Sequence, residues 1–453
     1  PHPRPLSPVA ALARTIWQGG GDLLSLLPAD AYRLPVTDLG YSRRSIVLFN
    51  EPELVRQILT DPDGIFPKND LMVGALEPLI GNSIFVTDGD VWRRQRAMIE
   101  PAFTHMRIGQ AFASMQAAVD DHVERLDRKA RDGTPFSIDR LMSELTADII
   151  CRTVFSVSLD GGVAREVFDD FAVFEKAVAQ VNLSQLILKP AWSKVSQPPE
   201  VLAACQRIRN HIGTLTDTHL GEGAGSFNDI ASAVIAARDP QTGAALTRAE
   251  LVDQLGVFFL AGHETTASVL IWVFFILASR PDLLAAIRAE VKAAAGDGEI
   301  EFEHTRKLPF LRSVFREALR LYPPVTFIPR VALEDTRVGP RKLKRGAMIM
   351  ISPWTIHRHS ALWRDPNNFD PNRFSPEREK EIARGAYIPF GAGPHTCIGS
   401  AFAMAESALI IARLARRFDF TAMEPGKVRP AARLTTRPAR EIMATARHLS
   451  PLS

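Results

Sequence analysis

Cys397 lies in the run Phe390-Gly391-Ala392-Gly393-Pro394-His395-Thr396-Cys397-Ile398-Gly399, a tight turn that opens into an apolar helix. A single thiol on such a loop, with no second cysteine nearby, has the chemistry of one soft axial ligand to a metal. The helix predicted from Ser400 to about Arg413 begins where the sulfur sits. Its free N–H groups and positive dipole end favour thiolate over thiol. Gly391 and Gly393 permit positive φ, and Gly399 lets backbone approach a flat cofactor closely. The competing reading is a structural thiol, because an unpaired cysteine most often behaves as a small buried hydrophobe.

Three other groupings could do chemistry. Ala261-Gly262-His263-Glu264-Thr265-Thr266 interrupts the apolar stretch from Leu251 to Ala278. An acid beside an alcohol can pass protons into a dry site; it can equally be a polar patch satisfied inside a helix bundle. A zinc motif His-Glu-x-x-His fails here because position 267 is Ala. Glu317-x-x-Arg320 places two opposite charges on one helix face. The same spacing recurs at Glu53/Arg56, Glu303/Arg306, Glu334/Arg337 and Glu381/Arg384, so spacing alone says nothing. What sets Glu317 apart is the Leu321-Tyr322-Pro323-Pro324 that follows and its distance from Cys397. Trp92-x-x-x-Arg96 aligns an indole and a guanidinium, although each alone reads as helix surface.

In this order along the chain, Trp92/Arg96, Glu264-Thr265, Glu317/Arg320, Arg373 and Phe-x-x-Gly-x-x-x-Cys-x-Gly resemble the motifs of the cytochromes P450. The resemblance spans residues from about 30 to 447. It implies a haem b (iron protoporphyrin IX) ligated by the Cys397 thiolate. Phe390, Gly391, Gly399 and Ala261 would lie against the haem, with Gly262 giving room at its face. The propionates, two partly buried carboxylates, need cationic donors; the matching positions are Arg96, Arg330 and His395, with Trp92 beside them. Glu264 would relay protons, and Thr265 would hold the bound oxygen species and its water. Glu317, Arg320 and Arg373 would form a buried triad under the cysteine loop, although Asn372 stands where the family more often has Glu. The substrate pocket would be Leu71, Met72, Val73, Leu76, Ile84, Phe85, Val257, Phe258, Ala261, Val325, Thr326, Phe327, Leu434 and Thr435. No Arg or Lys stands out there as a carboxylate anchor, which implies a hydrophobic, fairly large substrate.

The elements that must position these residues are mostly helical. Apolar residues recur at three and four from Trp92 to about Phe275, broken near Asp132-Gly133, Asp160-Gly161 and residues 221–225. A helix opens near Glu51-Pro52, and another runs from Leu308 to Leu321 and stops at Pro323-Pro324. Short strands are expected at Ser45–Phe49, Phe327–Leu333, Arg337–Leu343, Ala347–Ser352 and around Leu434 and Ile442. The fold expected is mainly α with small peripheral β-sheets, the cytochrome P450 fold, as one domain over 1–453. Within it, residues 1–30 form a proline-rich lead, 30–90 and 325–352 hold most of the β structure, and 91–324 and 395–420 are mostly helical.

Bulk properties narrow the function. The 453 residues are 46% hydrophobic, and a net charge of +3 argues against nucleic acid as a partner. Cys151, Cys205 and Cys397 are odd in number and far apart, which fits a reducing, cytoplasmic setting. No Cys-x-x-Cys-His occurs, so a haem would be bound non-covalently. The run Ala267–Ala278 falls short of the ~20 residues that span a bilayer. Pro1-His2-Pro3-Arg4-Pro5 resembles the hinge after the membrane anchor of microsomal relatives and leaves open an anchor ahead of it. Frequent Ala and Arg point to a soluble, bacterial-type protein.

The function implied is insertion of one atom of O2 into a hydrophobic substrate, by hydroxylation or epoxidation. Electrons would come from a ferredoxin or flavodoxin/reductase type donor at the proximal face, on a basic patch of Arg93, Arg94, Arg413, Arg416 and Arg417. A peroxide-driven relative is the first alternative, but that group resembles this chain with the acid–threonine pair lost. A non-enzymatic haem sensor is the second.

Overall fold

The computed structural model describes residues 22–39, 45–160, 162–178, 197–221 and 227–449; Pro1–Pro5, Gly161 and the break at 222–225 lie outside them. Its helices are α1 (Pro52–Thr60), α2 (Asp70–Ile80), α3 (Gly89–Ile99), α4 (His105–Asp132), α5 (Ile138–Phe155), α6 (Gly162–Val178) and α7 (Pro199–Gly221). They continue as α8 (Ile230–Ala236), α9 (Arg248–Ser279), α10 (Pro281–Ala295), α11 (Pro309–Leu321), α12 (Pro353–Ile356) and α13 (Ser400–Arg417). The strands are β1 (Val36–Asp38), β2 (Ile46–Phe49), β3 (Phe136–Ser137), β4 (Ile328–Val331), β5 (Thr336–Val338) and β6 (Arg341–Leu343). β7 (Met348–Ile351), β8 (Phe418–Ala422), β9 (Pro430–Ala432), β10 (Thr436–Pro438) and β11 (Met443–His448) complete them. The expected strand over Arg337–Leu343 is a hairpin, because Gly339 at φ +54° turns the chain between β5 and β6. Leu434 sits in the turn between β9 and β10 rather than in a strand.

α9 organises the bundle. Thr247 and Glu250 form a reciprocal capping box at its start, satisfying donors that have no partner within the helix. Beyond the cap the helix is apolar all round, the pattern of a helix buried on every side. It is the one helix among the described residues long and apolar enough to cross a membrane, and 78% of that apolar stretch is buried inside the protein. Trp272 stacks on Tyr322 at 4.0 Å with an interplanar angle of 7°. Gly262 is explained by packing: a Cβ there would lie 2.4 Å from Ile150 Cδ1 of α5. The missing side chain therefore makes room for α5, and Gly262 also lines the cavity.

Thr436 ties the C-terminal hairpin to this core. Its carbonyl accepts from Ser268 Oγ and Trp272 Nε1, each at 2.9 Å. Its hydroxyl donates to the Pro323 carbonyl at 2.6 Å and shares a 2.9 Å bond with the Thr326 hydroxyl. The main sheet has strand order β1-β2-β7-β4, with β2 and β7 parallel and the other pairs antiparallel. Both faces of β2 are covered, so Ile46-Val47-Leu48-Phe49 is apolar without alternation and all four residues are buried. β4 brings Arg330 to the centre of the molecule.

Candidate active site

The cysteine turn is shaped by its backbone. Cys397 N–H donates to the Phe390 carbonyl at 2.9 Å and Thr396 N–H to that of Gly393 at 3.1 Å. Gly391 and Gly393 have φ of +78° and +73°, a region that glycine enters without strain. At Gly393 a Cβ would also lie 2.4 Å from the Leu59 carbonyl oxygen at the end of α1, so backbone meets backbone there. Gly399 caps α13. The Cys397 side chain opens onto a cavity of about 320 Å³, a size usual for small-molecule sites. Burial pushes its thiol above the ordinary value, opposed by the Gly399 N–H and the charge of Arg96.

The expected cofactor residues Phe390, Gly391, Ala261, Gly399, Trp92, Arg96, Arg330 and His395 all line this cavity with Cys397. One edge gathers Arg330, Arg96, His395 and Lys68, with Glu100 3.1 Å from Arg96 and Asp88 3.6 Å from His395 Nε2. Arg330 is 6% exposed, and its guanidinium donates to the Pro329 carbonyl at 3.0 Å. Burial pulls its pKa below the ordinary guanidinium value, with Asp88 and Asp61 acting the other way. Arg96 donates to the Thr396 carbonyl at 2.8 Å. His395 packs on Trp92 at 4.0 Å, and its buried Nδ1 has no partner. Lys68 was missed from the sequence: it lines the cavity, donates to the carbonyls of Ile84 at 3.0 Å and Thr87 at 2.6 Å, and is pushed down to about 8 by burial. A lone lysine has no spacing that would betray it. Arg330 and Lys68 are buried cations that call for anionic partners, so the residues fit a thiolate-ligated haem, whose carboxylates they would hold together with Arg96 and the neutral His395.

The opposite wall is α9. Thr265 lines the cavity, and its hydroxyl donates back to the Ala261 carbonyl at 2.6 Å. Glu264 does not line it. The Glu264 carboxylate faces Arg437 of β10, which donates from Nε at 2.8 Å and from Nη2, and Thr435 Oγ1 donates at 2.6 Å. Burial alone would raise Glu264, but the charge and hydrogen bonds of Arg437 hold it below the usual carboxylate range. Arg437 was also missed, being remote in sequence from its partner. His263 is 1% exposed, bonded through Nδ1 to the Phe259 carbonyl at 2.6 Å, and pushed down to about 4 by burial. It is a packed neutral imidazole.

Of the expected pocket residues, Met72, Ile84, Phe85, Val257, Phe258, Ala261, Val325 and Phe327 line the cavity. Leu71, Val73, Leu76, Thr326, Leu434 and Thr435 do not. Leu76 is core, Thr326 is spent on Thr436 and Thr435 on Glu264, while Leu71, Val73 and Leu434 pack against the core from outside it.

Four of the five arginines of the expected basic patch have acidic partners. Arg93 pairs with Asp90, Arg94 with Asp239 and Glu250, Arg413 with Asp120 and Glu299, and Arg417 with Asp127. Arg416 donates to the Gly298 carbonyl at 2.8 Å.

On α11, Glu317 and Arg320 are both fully buried and bonded through two parallel contacts of 2.7 Å. Arg373 Nε lies 3.4 Å from Glu317 Oε1. Glu317 also accepts from Asp370 N–H at 2.9 Å, and Arg320 donates to the carbonyls of His357 at 2.7 Å, Pro366 at 2.6 Å and Asn368 at 3.0 Å. The three charged residues are thus brought together, and they organise the backbone of residues 357–370. The pairs Glu53–Arg56 and Glu303–Arg306 at the same spacing are exposed.

Comparison with known proteins agrees with this geometry. The cytochrome P450 family model matches residues 30–444. The chain is 33% identical over 423 residues to cyclooctatin synthase of Streptomyces melanosporofaciens, covering 92% of this chain and 90% of that protein. It is 33% identical over 417 residues to cyclooctat-9-en-7-ol 5-monooxygenase of the same organism, covering 91% and 87%. With pentalenene oxygenase of Streptomyces avermitilis it shares 28% over 390 residues, covering 85% and 84%. The fold matches the crystal structure of the cytochrome P450DA heme domain with a TM-score of 0.80 at 24% identity, over 92% of this chain and 89% of that one. The chain therefore belongs to the cytochrome P450 family and is an oxidoreductase, with haem held through a cysteine thiolate.

Proposed function

We propose that the chain is a monooxygenase that uses O2 and an electron-donor protein to hydroxylate or epoxidise a neutral hydrophobic molecule. The observation that carries the substrate class is the composition of the wall formed by Met72, Ile84, Phe85, Val257, Phe258, Val325 and Phe327, in which no side chain is ionisable. The named substrate of one relative, cyclooctat-9-en-7-ol, has a double bond and a hydroxyl and no carboxylate. Cys397 would hold a haem b, and Lys68, Arg96, Arg330 and His395 would bind its carboxylates; the group would supply the oxygen-activating chemistry. The protein's part is to exclude water with the apolar wall and to present the Thr265 hydroxyl on it. Glu264 is ionised against Arg437, so it would pass a proton toward Thr265 only after leaving Arg437 and taking up a proton from solvent. The donor is of ferredoxin or flavodoxin/reductase type, and the setting is cytoplasmic, in keeping with the buried free thiols Cys151 and Cys205.

The test of the substrate class is a panel of polycyclic terpenoids, steroids, fatty acids and aromatics titrated against the haem spin state. Neutral polycyclic molecules should give the largest shifts, and tightest binding of a fatty acid would overturn the reading. The test of the O2 route is Thr265→Ala. The fraction of consumed O2 that appears in product should fall by about tenfold, with peroxide release making up the difference. Unchanged coupling would favour the peroxide-driven alternative.

A further inference from the structure

We propose that Asp253 and Arg209 form a latch that fixes the loop Gly81–Phe85 on the cavity wall and so sets which ligand shapes the site accepts. The proposal rests on the haem-site reading above and goes beyond it, because neither residue lines the cavity. Both act through the loop, as positioning residues.

α2 ends at Gly81, whose φ of +50° and ψ of −142° are open to glycine and strained for other residues. A Cβ there would lie 2.1 Å from Asp253 Oδ1, so the carboxylate occupies the space that a side chain would need. Asp253 Oδ2 accepts from Asn82 N–H at 2.9 Å, and Oδ1 accepts from Arg209 Nη2 at 2.7 Å. The other arm of Arg209 donates to the Leu79 carbonyl at 3.1 Å. The next residue on α9, Gln254, accepts from Ile84 N–H at 3.0 Å, and Gln95 of α3 donates to the Asn82 carbonyl at 2.7 Å. Side chains from α3, α7 and α9 therefore converge on residues 79–84.

The residues that this backbone delivers to the cavity are Ile84 and Phe85. Phe85 is 37% exposed, so the loop backbone has a large share in fixing its place. The Asp253 and Arg209 side chains are 11% and 26% exposed, shielded enough for a charge-assisted bond to hold. Arg209 thereby links the position of α7 to the shape of the cavity, through a carboxylate on the helix that also carries Thr265.

The experiment uses the haem-loaded protein and two probes, imidazole and 4-phenylimidazole, followed by the shift of the haem absorption band. Both ligate iron, but only the second reaches for the wall. Asp253→Ala should weaken 4-phenylimidazole by about tenfold and leave imidazole within about twofold. Arg209→Gln should move the ratio in the same direction, and Arg209→Lys should restore part of it; the Arg209 variants read the same ratio if Asp253→Ala does not fold. Hydrogen exchange gives a haem-independent readout: the Asn82 amide should lose protection in Asp253→Ala, while the Ile442 amide, bonded to Asp139 at 2.8 Å, should not. An unchanged affinity ratio, a parallel loss for both probes, or an unchanged Asn82 amide would overturn the latch. Absence of any imidazole shift in the unaltered protein would instead overturn the haem reading.

Discussion

Cys397→Ala should abolish the red-shifted absorption band of the reduced carbon monoxide complex and leave the fold in place. The sulfur is the soft ligand on the cavity, and no other thiol can replace it: Cys151 and Cys205 are buried elsewhere. The turn itself does not depend on sulfur. It is held by Cys397 N–H to Phe390 O, by Arg96 to Thr396 O and by the contact of Gly393 with α1. The change in unfolding free energy should therefore stay within about 1 kcal/mol. Residual haem should still bind, because Lys68, Arg96, Arg330 and His395 are untouched. Survival of the red-shifted band would sink the ligand assignment, and collapse of the apo fold would show that the turn needs more than its backbone.

Glu317→Ala should be the most destabilising single substitution in the site, by about 3–5 kcal/mol, because it strands a guanidinium in the interior. Arg320 would keep only the carbonyls of His357, Pro366 and Asn368. Glu317→Gln, which keeps shape and loses charge, should cost less. Urea unfolding of apo and haem-loaded protein measures both, and a loss under about 1 kcal/mol for Glu317→Ala would refute the buried-network argument. The neighbouring His357 adds a pH dependence. Its Nε2 accepts from Ile388 N–H at 2.9 Å, and burial, with Arg320 close by, pushes it down to about 3. The unfolded chain titrates near 6.5, so it takes up the proton first. Stability from this group is fully present above about pH 6.5 and is lost progressively toward pH 3. A flat unfolding midpoint between pH 7 and pH 4 would contradict it.

How far the site was legible follows from where its constraints act. The cysteine turn could be read because positive φ, a close approach and a helix start are all local demands that leave local residues. Glu317–Arg320 could be read because the two share one helical face. Lys68 and Arg437 could not: each is a single cation, placed by tertiary packing against groups far along the chain. The pocket was half right for a related reason. Sequence tells which loop reaches the cavity, but the rotation of a short element decides whether Met72 or Val73 faces it. Arg94, Arg413 and Arg417 looked like part of a basic patch because their carboxylate partners, Asp120, Asp127, Asp239, Glu250 and Glu299, come from other segments.

The Thr436 bonds have a mechanical meaning. One residue of the C-terminal hairpin grips α9 through Ser268 and Trp272 and also grips the turn at Pro323 that carries Val325 and Phe327. Two walls of the cavity are thus referred to a common fixed point, as the jaws of a caliper are to its beam. The span between them is set from the buried interior, by a threonine that does not line the space the jaws enclose.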